Sequence, residues 1–150
     1  MIRILDLVRA AKASGDFTPL ASAIPYARFL GFSVTLENGA LTGVMRYSDH
    51  LIGNASLPAL HGGTLGALLE STSIFQVLYQ AETVILPKTI TITVDYLRPG
   101  RPTDTFARAT ITRQGRRVVN VRSEAFQDDP ARPIATANAL FLVMPDDPPR

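Results

Sequence analysis

Hydrophobic and polar positions divide the 150-residue chain into a short helical opening, one long apolar segment and a series of alternating stretches. Ile2, Ile4, Leu5, Leu7 and Val8 cluster at the start, but Arg3, Asp6 and Arg9 interrupt them. The segment therefore predicts a short amphipathic helix ending near Gly15, not a signal h-region or a membrane span. Such a helix is expected to pack over a sheet edge or a partner subunit. Thr18-Pro19 reads as the cap and first-turn proline of a second short helix that ends near Gly31. Residues 32–36 and 40–46 then alternate around Glu37-Asn38-Gly39, where Asn-Gly supplies the positive φ angles of a tight hairpin.

A loop over residues 47–60 leads into the apolar segment, predicted as one long helix over 61–81. Beyond it, Ile90, Ile92, Val94 and Tyr96 alternate with Thr89, Thr91, Thr93 and Asp95, a half-buried strand stopped by Arg98-Pro99-Gly100. Further strands are predicted over 103–113, 117–127 and 133–144, separated by Gly115 and by Asp128-Asp129-Pro130. Tight turns of this kind predict a four-strand antiparallel meander. A hairpin, one apolar helix and four strands have one economical packing. The expected class is α+β, a curled antiparallel sheet wrapped around one long central helix, with short N-terminal helices.

Composition narrows the picture. The length suits one domain, divided here into an N-terminal helical extension (1–30), the principal domain (31–145) and a tail (146–150). Nearly all the cations are Arg, since Lys12 and Lys88 are the only lysines, and the formal net charge is only +2. Arg suits forked contacts with carboxylate or phosphate. A nucleic-acid binder would carry a denser basic stripe, so the expected partner is a small polyanionic ligand at most, with no nucleic acid and no membrane. The chain has no Cys, so disulfides, a thiolate nucleophile and Cys-ligated metal are excluded. A reducing compartment is compatible with this, and a cytoplasmic location is expected. Asp49 and His50 suggest a metal pair, yet His50 and His61 share no helix face and no third ligand stands out, so no metal site is expected.

Glu70 changes the picture most. It is the only charged side chain between His61 and Glu82. An ionised carboxylate in an apolar helix is costly unless it is paired, hydrogen-bonded or held neutral, and groups kept in that situation mark candidate functional sites. The competing reading is a fold-specifying carboxylate satisfied by Ser73 or Thr89.

Three features occur in order: Leu60-His61-Gly62-Gly63 opening the helix, an acid nine residues after that His, and Val94-Asp95-Tyr96-Leu97-Arg98-Pro99-Gly100 closing the next strand. Together they resemble the hotdog-fold thioesterases, in particular the small acyl-CoA and aryl-CoA thioesterases related to phenylacetate-pathway and 4-hydroxybenzoyl-CoA enzymes. The resemblance covers residues 32–144 in order and spacing. It implies the hotdog fold and hydrolysis of acyl-CoA or aryl-CoA thioesters, with CoA as part of the substrate and no separate cofactor. It also implies a homodimer with sites shared across the interface, two dimers often forming a homotetramer.

Helix geometry points the same way. Nine residues turn the helix by about 180° and raise it by ~13.5 Å, so His61 and Glu70 of one helix cannot serve one thioester. Two-fold packing of two copies brings the helix start of one to the mid-helix carboxylate of the other. Leu65, Leu68, Leu69, Thr72 and Phe75 form the expected core stripe, while Gly66, Ala67 and Ser73 beside Glu70 leave room for a ligand.

The expected chemistry follows from these positions. Gly62 N–H, at the positive end of the helix, is the expected donor to the oxygen that gains charge when a thioester is attacked. Glu70 would activate water as a general base, or attack the carbonyl itself to give a mixed anhydride; both routes stay open. The resemblance places Thr89 where relatives carry a Ser or Thr that would hold the water. Two departures stand out. Asn54 lies seven residues before His61, where relatives carry Asn or Gln at six, and Ile74 stands four after Glu70, where some relatives place a hydroxyl. Ser71, Thr72 or Ser73 would substitute for the latter, Ser73 being best placed by rotation. His61 either caps the helix or takes part in chemistry. Arg113, Arg116 and Arg117 surround a hairpin turn, joined by Arg101, and would contact CoA phosphates unless they serve only solubility. Phe75, Val77 and Tyr79 line an acyl slot or belong to the core. The alternative function is a hotdog module that binds acyl-CoA without turnover, as a sensor or partner subunit.

Overall fold

A computed structural model of the chain describes residues 3–144. The expected tail, 146–150, lies outside the described residues. Helix α1 (Ile4–Ser14) closes on Gly15 in the left-handed conformation, φ 77°. In place of the single second helix expected, the chain makes two, α2 (Thr18–Ala23) and α3 (Pro25–Leu30). Pro25 is the cause. It disfavours helical backbone at the preceding residue, so Ile24 is extended (φ −87°, ψ 114°) and the helix restarts with Pro25 in its first turn.

Strands β1 (Phe32–Glu37) and β2 (Ala40–Met45) form the expected hairpin, with Asn38 and Gly39 at φ 52° and 77°. The loop over 47–60 is more structured than its composition suggests. It holds a 3-10 turn (Asp49–Leu51) and a small ladder of β3 (Ile52–Asn54) with β4 (Ala59–Leu60). Helix α4 (Gly62–Gln80) follows, then β5 (Lys88–Tyr96), β6 (Thr105–Gln114), β7 (Val118–Phe126) and β8 (Ala135–Leu142).

The six long strands form one sheet in the order β1-β2-β6-β7-β8-β5, and every neighbouring pair is antiparallel. The expected meander fails at one place. β5 pairs with β8, and β6 pairs with β2, so β5 stands at the sheet margin and not beside β6. The segment between them is too long for a tight hairpin and carries Pro99 and Pro102, which cannot donate to a ladder. It is tied to other parts of the chain instead: Leu97 and Arg98 N–H donate to Ile134 O, and Leu60 N–H donates to Gly100 O.

The curled sheet buries α4. Leu65, Leu68, Leu69, Thr72 and Phe75 are all inaccessible to solvent or nearly so, as the core stripe predicts. Phe17 and Phe32 meet Phe75 edge-on, with ring centres 6.0 and 5.3 Å apart. A β-carbon on Gly43 of β2 would lie 2.0 Å from Thr72 Oγ1, so only glycine lets helix and strand approach this closely. Val77 packs with Val119, Val121, Ala139 and Phe141 in a second cluster under the far end of the helix. Among the described residues no helix is long and apolar enough to cross a membrane.

The N-terminal helices hold the other side. Lys12 Nζ on α1 donates to Leu78 O and Ala81 O, each at 2.5 Å, and so satisfies carbonyls at the C-terminal end of α4. Partial burial lowers the Lys12 pKa, and the nearby Glu82 charge offsets this in part. Replacing Lys12 by Met removes both bonds while keeping most of the packing. The expected loss is about 1 kcal/mol, because water can reach part of this site. A melting curve should show it as a drop of roughly 2–4 °C in Tm.

Candidate active site

Glu70 lies midway along α4, and its Oε1 accepts a 2.6 Å hydrogen bond from Thr89 Oγ1 on β5. A kink in β5 makes the contact. The β5–β8 register shifts between Thr89 and Thr91, leaving Ile90 as an extra residue. Strict alternation places Ile90 on the helix-facing side with Ile92 and Val94, and Thr89 outside. The bulge reverses this: Ile90 is 54% exposed and Thr89 turns in towards the helix.

The start of α4 is a second centre. His61 is its N-cap, with backbone in the extended region and Nδ1 accepting from Gly63 N–H at 2.9 Å. The role of His61 seen here is therefore the capping one. With Gly63 N–H taken by the cap, Gly62 N–H is the first amide of the helix and has no intrahelical acceptor. Tyr96, at the end of β5, lies against it. Its hydroxyl donates to Gly62 O at 2.8 Å, and a β-carbon on Gly62 would come within 3.1 Å of the ring. Tyr96 belongs to the strand motif but not to the site residues expected from the sequence. Its polar tip on an otherwise apolar alternating face was the available signal. A shallow hollow of about 300 Å³ opens here, lined by Gly62, Leu65, Tyr96, Arg98 and Pro99 among others.

The two centres are separate within one chain. Glu70 and Thr89 come together, and Gly62, His61 and Tyr96 come together, at different points along α4 and β5. Asn54 joins neither. It lies on β3, and its Oδ1 accepts from Ser56 N–H in a local turn. Ser73 is fully buried, and its hydroxyl donates back to Leu69 O at 2.8 Å, one turn earlier in the helix, so Thr89 and not Ser73 holds the carboxylate. His50 Nδ1 is bonded to the Ser48 hydroxyl, and Nε2 to Phe29 O.

The arginines divide between the two ends of the sheet. Arg113, Arg116 and Arg117 surround the β6–β7 turn and line a hollow of about 530 Å³ with Asn120 and Leu140. Arg116 also borders a recess of about 450 Å³ against Ala81, Glu82 and Thr83, just beyond α4. This is the Thr89 end of the sheet, because Val119, Phe141 and Thr89 form one row across β7, β8 and β5. Two strand spacings, about 10 Å, separate the ends of that row. Arg101 lies at the other end, paired with the Asp128 carboxylate and linked to Gln127, and does not meet the other three.

A central helix enclosed by a curled antiparallel sheet defines the fold class as the hotdog fold. Residues 54–142 match the family model of the acyl-CoA thioesterase N-terminal domain. The chain belongs to this family. It is 27% identical over 157 residues to the medium/long-chain acyl-CoA thioesterase YigI of Salmonella typhimurium, covering 95% of this chain and 99% of that protein. Among solved structures, a Chromobacterium violaceum protein is 36% identical with a TM-score of 0.72, over 96% of this chain and 98% of its own. A phenylacetic acid degradation-related protein from Ralstonia eutropha JMP134 is 29% identical with a TM-score of 0.70, over 80% and 91% of the two chains.

The capping geometry predicts how His61 variants behave. His61→Ala should lower stability by about 1 kcal/mol, the usual loss on removing a helix N-cap. His61→Asn, which can cap equally well, should restore both the melting temperature and thioester turnover. Recovery of stability without turnover would assign the imidazole a chemical role.

Proposed function

We propose that the protein hydrolyses acyl-CoA thioesters to the free acid and CoA, with Glu70 of one chain and Gly62 N–H of a second acting on the same carbonyl. The carboxylate held by Thr89 inside an otherwise uncharged helix carries this reading. The Thr89 bond engages one oxygen and fixes the carboxylate's direction, leaving the other oxygen for the reaction. The name of the YigI relative supports an aliphatic acyl group.

The margin of the sheet supports a shared site. β5 is nine residues long and contains no proline, and no strand among the described residues pairs with its outer side. Ile90, Tyr96 and Leu97 expose apolar surface along it. An edge with unpaired backbone groups and apolar surface along it invites pairing with another chain. Antiparallel pairing of two copies through β5, with the two-fold axis near its middle, lays the Thr89 end of one strand beside the Tyr96 end of the other. Glu70 then faces the helix start of a second copy, which one chain alone does not provide.

At such a site the Gly62 amide and the helix dipole stabilise the oxyanion that forms on the thioester carbonyl. In one route Glu70 takes a proton from water as the water oxygen attacks. The tetrahedral species then expels CoA thiolate, which recovers the proton. In the other route Glu70 attacks directly, CoA leaves, and water cleaves the resulting anhydride. Both consume one water and release one acid and one CoA thiol. Arg116 and Arg117 line hollows at the Thr89 end of the sheet and would meet the phosphates of CoA there.

Thiol release followed spectrophotometrically over a panel of acyl-CoA and aryl-CoA esters tests the chemistry. Glu70→Gln should lower kcat by about a hundredfold or more, with the circular dichroism spectrum unchanged, as for loss of a positioned base or nucleophile. Unchanged turnover would remove Glu70 from the mechanism. Sedimentation velocity under assay conditions should give a dimer or a dimer of dimers. A stable monomer of full activity would defeat the shared site.

A further inference from the structure

A slot of about 240 Å³ opens between α4, one residue beyond Glu70, and the junction of α2 with α3. Its walls include Ile24 and Tyr26 from the N-terminal helices, Ile74 and Phe75 from α4, and Leu86 from the segment before β5. Ser71 brings a hydroxyl to an otherwise mostly apolar lining. One wall comes from the helix that carries Glu70, and another from the segment leading into the strand that carries Thr89. Ser71 and Ile74 stand one and four residues after Glu70, with Ile74 on the same helix face, and Leu86 stands three before Thr89.

We infer that this slot receives the alkyl end of a medium-length, straight-chain acyl group, and that Ile24 and Tyr26 set the chain length it accepts. The inference rests on the acyl-CoA reading of the Glu70 site. Its volume holds about eight groups the size of a water at ~30 Å³ each, and a methylene is of similar size. A chain much longer than that protrudes. The lining decides the chemistry of the occupant, since an apolar wall with few polar groups favours hydrocarbon over any charged or strongly hydrated ligand.

The break between α2 and α3 builds the slot. Pro25 forces Ile24 into extended backbone, and the half-buried Ile24 side chain lines the slot where a continuous helix would have run on. At the rim Tyr26 stacks on Phe29 with ring centres 5.8 Å apart, and each is 54% exposed. Two large aromatics left in solvent beside an apolar opening mark a surface that meets an apolar ligand. The N-terminal helices therefore act as the specificity wall of the enzyme.

Non-hydrolysable S-alkyl-CoA thioethers of increasing chain length, titrated into the full chain by calorimetry, test this without requiring turnover. Affinity for the wild type should rise about fourfold per methylene and level off near eight carbons. Ile24→Trp should move the levelling point down by roughly two or three carbons, given the extra side-chain volume, and leave the two-carbon analogue unaffected. Ile24→Ala should move it up by about one or two carbons. Should Ile24→Trp fail to fold, Ile24→Ala decides the matter, because truncating a half-buried side chain is better tolerated. Affinity independent of chain length, or one levelling point shared by wild type and folded variants, would overturn the inference. Length-dependent binding with no hydrolysis of any CoA ester would leave the slot standing and remove the thioesterase mechanism. Hydrolysis with no length dependence would do the reverse.

Discussion

A nineteen-residue helix with a single charged side chain cannot stand in water, and the rest of this fold answers that constraint. Sheet covers most of α4, and the N-terminal helices cover part of the rest, leaving the stripe through Gly66, Ala67, Glu70 and Ile74 half-buried. α1 contributes Lys12 to the terminal carbonyls, and Phe17 packs on Phe75. Helix and β2 come so close that Gly43 has no room for a side chain. Glu70 is left on the partly open stripe of the helix, with Gly66, Ala67, Ser71 and Ile74 beside it.

Two irregularities shape the surroundings of Glu70. A bulge at Ile90 turns Thr89 inward onto Glu70, and a proline at 25 breaks the N-terminal helix so that Ile24 reaches the slot beside it. Each interrupts a regular pattern at a point where a side chain is needed in a particular direction. Tyr96 works in the opposite sense. It follows the regular alternation of β5 and lies over Gly62 because the strand runs past the helix start.

Glu70 and Gly62 lie about 12 Å apart along the helix axis by residue count alone. One chain holds a carboxylate without an adjacent helix start, and a helix start without an adjacent carboxylate. The margin strand β5 carries one centre near each of its ends, so the proposed two-fold arrangement through it would complete both sites together. The arginines follow the same division, with Arg101 at the Gly62 end and the Arg113–Arg117 turn at the Thr89 end.

Much of this was legible in the sequence, because much of it is local. Asn38-Gly39 determined a hairpin through φ angles that few residues adopt, the apolar run determined a buried helix, and Glu70 declared itself as the charge that did not belong. The spacing from His61 to Glu70 settled their opposite directions through helix geometry alone. Strand order was not local: residues 97–104 are adjacent in sequence to both β5 and β6, yet pairing energy and proline placement sent β5 to β8. The inward turn of Thr89 depended on the register with β8, the engagement of Ser73 with Leu69 O on how deeply that face was buried, and the slot on the packing of two helices against a third. Turn chemistry and periodicity act between neighbours, so sequence alone determines them; register, bulges and cavities arise only when distant segments compete for the same space, and only the tertiary structure decides them.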